Sequence, residues 1–469
     1  VRSLTFDLLL RNCRAVDVTG VQECDVAIED GRIAKLARNA EDQADRVIDC
    51  RGMLVFPGAI DGHVHFEMDY GPGIRTADDF RTGTESAACG GVTTVIDFVT
   101  PRRGQSLIEA FEERLGAAQA KAVVDFGLHV CVLEVNGQRL SELRHLVSER
   151  GVASVKVFTA YRARGLMIDD GSLVRLAREM AAMDVLMLCH CENEDMIAKA
   201  TEELVFEGRT GIEHYESSRP DFAEAEAVNR IGFVSSLTGV EFLVVHISSA
   251  AALSSLRALK RSGVRARGET CPHYLLFTKD LYATDRGPLY VMAPPLRTEV
   301  DRRSLWQGIA DGAIDVVGSD HAPYLAVHKT RSKDFREVPG GVQGTEVIVP
   351  VLFSEGVRKG IIGLERFVEL TSHNPARLYG LSHRKGRIAV GWDADLVVLD
   401  PSKRVRLGKE VLHSALDHSI YEGIEVTGYP VITISRGEVV AENGQVLGRP
   451  GRGQYLHRSR KRAEPVQLR

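Results

Sequence analysis

An α/β fold, a (β/α)8 barrel with a smaller β-sandwich built from both chain ends, is what this sequence predicts, and three patterns predict it. Compact apolar runs recur eight times between residues 55 and 318 with helix-length segments between them, the mark of parallel strands joined by crossover helices. Short alternating strands broken by turn residues fill the stretch before residue 57 and return after residue 385. Residues able to hold metal stand at the ends of several apolar runs, and the strand exits are where TIM barrels keep their chemistry.

Taken in order, the N-terminal strands fall at 7–10, 24–28, 31–34 and 47–49, and the matching C-terminal ones at 386–389, 395–400 and 431–435. Residues 1–57 and 386–469 are therefore assigned to the sandwich and 58–385 to the barrel. The barrel strands are expected at 55–60, 92–98, 123–132, 153–158, 185–188, 242–246, 264–269 and 314–318. The final basic run, His457-Arg458-Ser459-Arg460-Lys461-Arg462, reads as a solvated terminus.

Composition excludes several classes. A net charge of −5 spread over 469 residues gives no electrostatic footprint for nucleic acid. No apolar run approaches bilayer length, and residues 1–10 lack an export signal's charged start and cleavage site, so the cytoplasm is the expected location. Eight cysteines lie apart or within apolar strands, as in Leu188-Cys189-His190-Cys191, which suits reduced thiols better than a disulfide framework.

Six residues form a candidate ligand set for a two-metal hydrolase: His63, His65, Lys156, His190, His246 and Asp320. His63 and His65 are two apart on an extended segment, so both imidazoles point the same way. His190 or His246 alone would read as a hydrogen-bonded structural residue; at the exits of separate strands the two gain weight together. Lys156 interrupts Val155-Lys156-Val157-Phe158, where an inward-facing ammonium would carry a desolvation cost. Burial would leave a neutral amine able to take up carbon dioxide, giving a carbamate that can bridge two cations. Asp320 could cap the segment after it, or ligate a metal and accept a proton; His321 reads as a supporting residue.

Several motifs in one order carry a family resemblance. They are Asp61-Gly62-His63-Val64-His65, Thr76-Ala77-Asp78-Asp79-Phe80, Lys156-Val157-Phe158-Thr159-Ala160-Tyr161, Gly268-Glu269-Thr270-Cys271-Pro272-His273-Tyr274, Val291-Met292-Ala293-Pro294-Pro295-Leu296-Arg297 and Gly318-Ser319-Asp320-His321. Together they resemble the cyclic amidohydrolases of the hydantoinase and dihydropyrimidinase group. The resemblance implies two zinc ions per subunit, one on His63, His65 and Asp320, the other on His190 and His246, bridged by N6-carboxylysine at Lys156. It implies that Tyr161 donates its hydroxyl to the substrate carbonyl. A metal-bridging hydroxide would then attack a hydantoin or 5,6-dihydropyrimidine ring, with Asp320 passing the proton to the leaving nitrogen, to give an N-carbamoyl amino acid.

Substrate contacts are expected from Tyr161, Phe66, Phe158, Ala293 and Gly340. The last two depart from the group, which usually carries serine and asparagine there. Dihydroorotases place an arginine where this chain has Glu67, and an acidic residue disfavours an anionic substrate. The aromatic loop that includes Met68 and Tyr70 suits a neutral ring with a hydrophobic substituent. Allantoinase or dihydroorotase chemistry, or a metal-free scaffold, are the alternative readings; retention of every ligand argues against the scaffold. Relatives imply a homo-oligomer, a tetramer being favoured, with a small cyclic ureide and neither nucleic acid nor membrane as partner.

Overall fold

The computed structural model describes residues 5–40 and 42–460. Strands β1 (Thr5–Asp17), β2 (Gly20–Glu29), β3 (Arg32–Ala37), β4 (Gln43–Asp49) and β5 (Leu54–Pro57) open the chain. The long β1 shifts register between Leu10 and Cys13, where Asn12 turns left-handed at φ 58°. Its first part pairs with β4 and its last part with β5, both in parallel. This irregularity redirects the strand and lets the sheet enclose a core that includes Leu10, Val26, Ile28, Leu396 and Ile434.

The barrel strands follow: β6 (Ala59–Val64), then, after a small hairpin of β7 (Asp69–Gly71) and β8 (Ile74–Arg75), β9 (Val92–Val99), β10 (Asp125–Cys131), β11 (Ser154–Phe158), β12 (Leu186–His190), β13 (Phe242–Val244), β14 (Ala266–Thr270) and β15 (Val316–Val317). These eight run side by side in the order β15-β14-β13-β12-β11-β10-β9-β6, each pair parallel. His321 closes the ring. Its N–H donates to the His63 carbonyl at 3.2 Å, and its carbonyl accepts from the His65 N–H at 2.9 Å. The outer helices follow the amphipathic rule: Ala250–Arg261 is capped by Ser249 and buries Ala252, Leu253 and Leu256 against the sheet.

The chain then returns to the first sheet through β16 (Leu396–Arg406), β17 (Glu425–Ser435), β18 (Glu438–Glu442) and β19 (Gln445–Val446). β16 lies antiparallel to β5, with Val398 opposite Val55, so the two chain ends share one nine-stranded sheet. The fold is thus the expected TIM barrel with a terminal β module.

Three expectations need correction. The run 55–60 is two strands, not one: β5 belongs to the terminal sheet and β6 to the barrel, with Gly58 at the switch. A Cβ at Gly58 would lie 2.1 Å from Thr93 Oγ1, so only glycine lets the chain pass. Residues 386–389 form no strand; Gly386 turns left-handed at φ 84° and Arg387 pairs with Asp17 instead. The described part of the basic run is solvated only in part: His457 and Ser459 are exposed, but its arginines turn inward. Leu456 plugs the barrel interior beside Ile96 and Leu188, Arg458 is buried and donates to Ser154 Oγ at 2.9 Å, and Arg460 pairs with Glu241. Lys461 and Arg462 lie outside the described residues.

All eight cysteines are buried free thiols. Among the described residues no helix is long and apolar enough to cross a membrane.

Candidate active site

His63 is the penultimate residue of β6 and His65 follows the strand, with Val64 between them, so both rings face the barrel mouth. Asp61, buried beneath them, accepts from the Ser319 N–H at 3.0 Å and its hydroxyl at 2.5 Å, fastening β6 to the loop that carries Asp320. His63 Nδ1 is 2.6 Å from Glu269 Oε1, and a proton held there leaves the Nε2 lone pair aimed into the site. That Nε2 is buried without a hydrogen-bond partner. It stands 3.1 Å from Asp320 Oδ1, the same distance as His65 Nε2. Two imidazoles and one carboxylate oxygen therefore meet at a point.

A second pair converges from the exits of β12 and β13. His190, the last residue of β12, puts Nδ1 2.9 Å from His246 Nε2. Its other nitrogen is 2.6 Å from Glu192 Oε2, and Arg219 Nε holds Glu192 from behind at 3.0 Å. His246, Asp320 and Tyr161 all adopt left-handed backbone, at φ 44°, 48° and 68°. Such conformations are costly for residues with a Cβ, and their grouping at strand exits is typical of functional sites.

Lys156 lies in β11 with its side chain buried. Its Nζ is 5.3 Å from the centre of the Phe98 ring, which stacks on His65, and 5.2 Å from Phe158, which neighbours His190. The amine thus sits between the two histidine groups. Burial lowers its pKa and favours the neutral form. Burial also pushes His65 down to about 4 and His246 well below its usual range. Asp320 stays ionised: burial opposes that, but the His63, His65 and His246 rings hold its carboxyl well below the usual value. Imidazole nitrogens grouped around a carboxylate oxygen, with an orphaned Nε2 among them, fit a pair of divalent cations.

The cavity over these groups has a volume of about 820 Å³. Tyr161 lines it with its ring 4.8 Å from His190, and burial pushes its phenol up, so the hydroxyl remains a proton donor. Phe158, Ala293 and Gly340 also line it, as do Met68 and Tyr70. Lys329 is buried under the loops bearing Ala293 and Gly340. Its Nζ donates to the carbonyls of Val291 at 2.5 Å, Pro339 at 2.9 Å and Gly341 at 2.9 Å, so one side chain fixes both segments.

Phe66 does not face the cavity. Side chains alternate after β6, and its ring packs in the wall against Phe80, His321 and Gly83. Glu67 does face it but is neutralised by Lys121, so it does not set the sign of the pocket. His321 is a support: its ring bonds Asp78 at 2.8 Å and accepts from the Gly344 N–H at 3.1 Å. The carboxylates behind the histidines, Glu192 and Glu269, and the loop anchor Lys329 were not singled out from sequence. Glu269 does stand in a quoted motif, and Glu192 stands two residues after His190.

Fold and donor set define a (β/α)8-barrel hydrolase with a site suited to two metal ions. Residues 54–440 match the amidohydrolase family. The chain is 38% identical over 456 residues to the D-hydantoinase of Geobacillus stearothermophilus, covering 96% of each. A crystal structure of D-hydantoinase superposes with a TM-score of 0.94 at 37% identity, over 96% of this chain and 99% of that one. The dihydropyrimidinase of Brevibacillus agri gives 0.94 at 35% identity, over 97% and 99%. The chain belongs to the amidohydrolase family, in its hydantoinase-type branch of cyclic amidohydrolases.

Proposed function

We propose that this chain is a zinc-dependent cyclic amidohydrolase that opens a hydantoin or 5,6-dihydropyrimidine ring to an N-carbamoyl amino acid. One observation carries the reading: His63 and His65 meet Asp320, His190 meets His246, and the buried Lys156 lies between the two groups. His63, His65 and Asp320 would hold one ion, His190 and His246 the other, with carboxylated Lys156 bridging them. Its neutral amine adds to the carbon of carbon dioxide and releases a proton, leaving a two-oxygen anion. When bound, the zinc ions supply hydroxide at neutral pH and polarise the scissile carbonyl.

The chain's own groups do the rest. Asp320 takes the proton of the attacking water and delivers it to the departing ring nitrogen. Tyr161 donates its hydroxyl to the carbonyl oxygen as negative charge develops there. The main chain around Ala293 and Gly340, held by Lys329, orients the ring through hydrogen bonds that need no particular side chain at either position.

Elemental analysis and a substrate panel test this reading. Two zinc ions per chain and hydrolysis of dihydrouracil and phenylhydantoin are expected, with Lys156→Ala losing both. Turnover confined to allantoin or dihydroorotate, or full activity without metal, would overturn it.

We take 58–385 as the barrel unit and 1–57 with 386–469 as the sandwich unit, the described stretch 449–460 returning beneath the barrel. Eight buried thiols suit a reducing compartment and support the cytoplasm. A homo-oligomer, with a tetramer favoured, is supported by an apolar stripe on helix Asp221–Thr238, where Phe222, Phe233 and Leu237 are 57%, 70% and 55% exposed on one face. Phe233→Asp should shift the mass measured by light scattering to a smaller species.

A further inference from the structure

Six arginines line the cavity. Five have a carboxylate beside them: Arg75 with Asp69, Arg102 with Glu113, Arg114 with Asp97, Arg219 with Glu192, and Arg336 with Asp334. Glu67, the remaining wall carboxylate outside the metal centre, is taken by Lys121. Among the described residues, Arg164 is the one guanidinium of the wall with no acidic group within ion-pair distance, so the wall's formal charges cancel except at Arg164.

Its position is built. The turn Arg162–Arg164 starts from the left-handed Tyr161, whose carbonyl accepts from the Arg164 N–H at 3.1 Å and the Leu166 N–H at 3.2 Å. Arg164 is thereby tied to the residue that faces the reacting carbonyl. Its guanidinium carbon lies 4.5 Å over the Tyr70 ring and 5.6 Å from the centre of the Tyr161 ring. Stacking on an aromatic face occupies the flat side of the group and leaves the N–H edges free, the geometry that receives a carboxylate through two parallel hydrogen bonds.

Resting on the reading of this cavity as a cyclic-ureide site, we infer that Arg164 selects rings whose exocyclic substituent ends in a carboxylate. The aromatic wall of Tyr70 and Tyr161 packs the substituent's methylenes, and Arg164 binds its anionic end. The sequence argument from Glu67 pointed to a neutral substituent; pairing with Lys121 removes that repulsion.

The test compares kcat/KM for 5-(2-carboxyethyl)hydantoin with that for its carboxamide isostere, with hydantoin and dihydrouracil as reference rings. A carboxylate preference of at least about tenfold is expected, in the range of a charge-assisted hydrogen bond. It should weaken as salt is raised, survive in part in Arg164→Lys, fall to about parity in Arg164→Gln and invert in Arg164→Glu. Because each variant is scored by the ratio of two substrates, a general loss of activity does not mimic the effect. Hydrolysis of the reference rings with no carboxylate preference, or a preference unchanged in Arg164→Gln, would overturn the inference and leave the proposed function standing. Failure to hydrolyse any ring by the metal-loaded protein would overturn both.

Discussion

Each imidazole of the proposed metal centre would need its lone pair in the site and its proton elsewhere, and for two of the four the structure supplies a carboxylate to hold that proton. Glu269 stands behind His63 and Glu192 behind His190, each at 2.6 Å. Replacing Glu192 by Gln should weaken metal affinity by about 10- to 100-fold, the usual cost of losing such a support, read by competition with a chelator. Tyr161 makes a separable contribution. Tyr161→Phe should lower kcat by roughly 10²- to 10³-fold, as removal of an oxyanion donor does, while elemental analysis finds the metal content unchanged. A parallel loss of metal would instead make Tyr161 a structural prop of His190.

At the scale of elements, the segment joining β16 to β17 is clamped to the barrel through His413. Its Nδ1 is 2.7 Å from Glu346 Oε1 and its Nε2 is 2.7 Å from the Gly444 carbonyl, two acceptors that require both ring protons. Hydrogen bonding to Cys89 and Glu346 pushes its pKa up to about 11; Glu85 is a further charge near Cys89. The folded value lies above the unfolded one of about 6.5. The clamp therefore stabilises fully below pH ~6.5 and loses strength as pH rises toward the folded value. The Tm difference between the native chain and His413→Gln should be widest near pH 6 and shrink by pH 10. A difference independent of pH would mean that the ring acts by packing alone.

Over the whole molecule, the C-terminal part of the chain and the barrel floor are joined by a buried charge cluster. Lys385 Nζ contacts Asp125 of β10 at 2.8 Å, Asp395 at 2.5 Å and Asp393 at 3.2 Å, and Arg436 reaches Asp125 at 2.9 Å. The surrounding carboxylates raise the Lys385 pKa despite burial. Lys385→Met would strand buried carboxylates and should cost about 3–5 kcal/mol, visible as a lower urea midpoint. The same junction shows what sequence reading could reach. The eight barrel strands were legible because a strand buried on both faces is an unbroken apolar run. The break at Gly58 was not, because it is enforced by Thr93, a residue of another strand. Nor was the barrel plug: Leu456 and Arg458 lie in a polar, basic stretch, and only the cavity they enter makes them interior residues.

The order of elements, the donor types His63, His65, Lys156, His190, His246 and Asp320, and their place at strand exits are written in the chain itself, because hydrophobic period and residue chemistry are local properties. Convergence and pairing are not local. His63 meets Glu269 across 206 positions, Phe66 turns into the wall while its neighbours face the cavity, and Lys121 cancels the charge of Glu67 while no described residue cancels that of Arg164. Those outcomes depend on distances between remote segments, which only the closed barrel fixes.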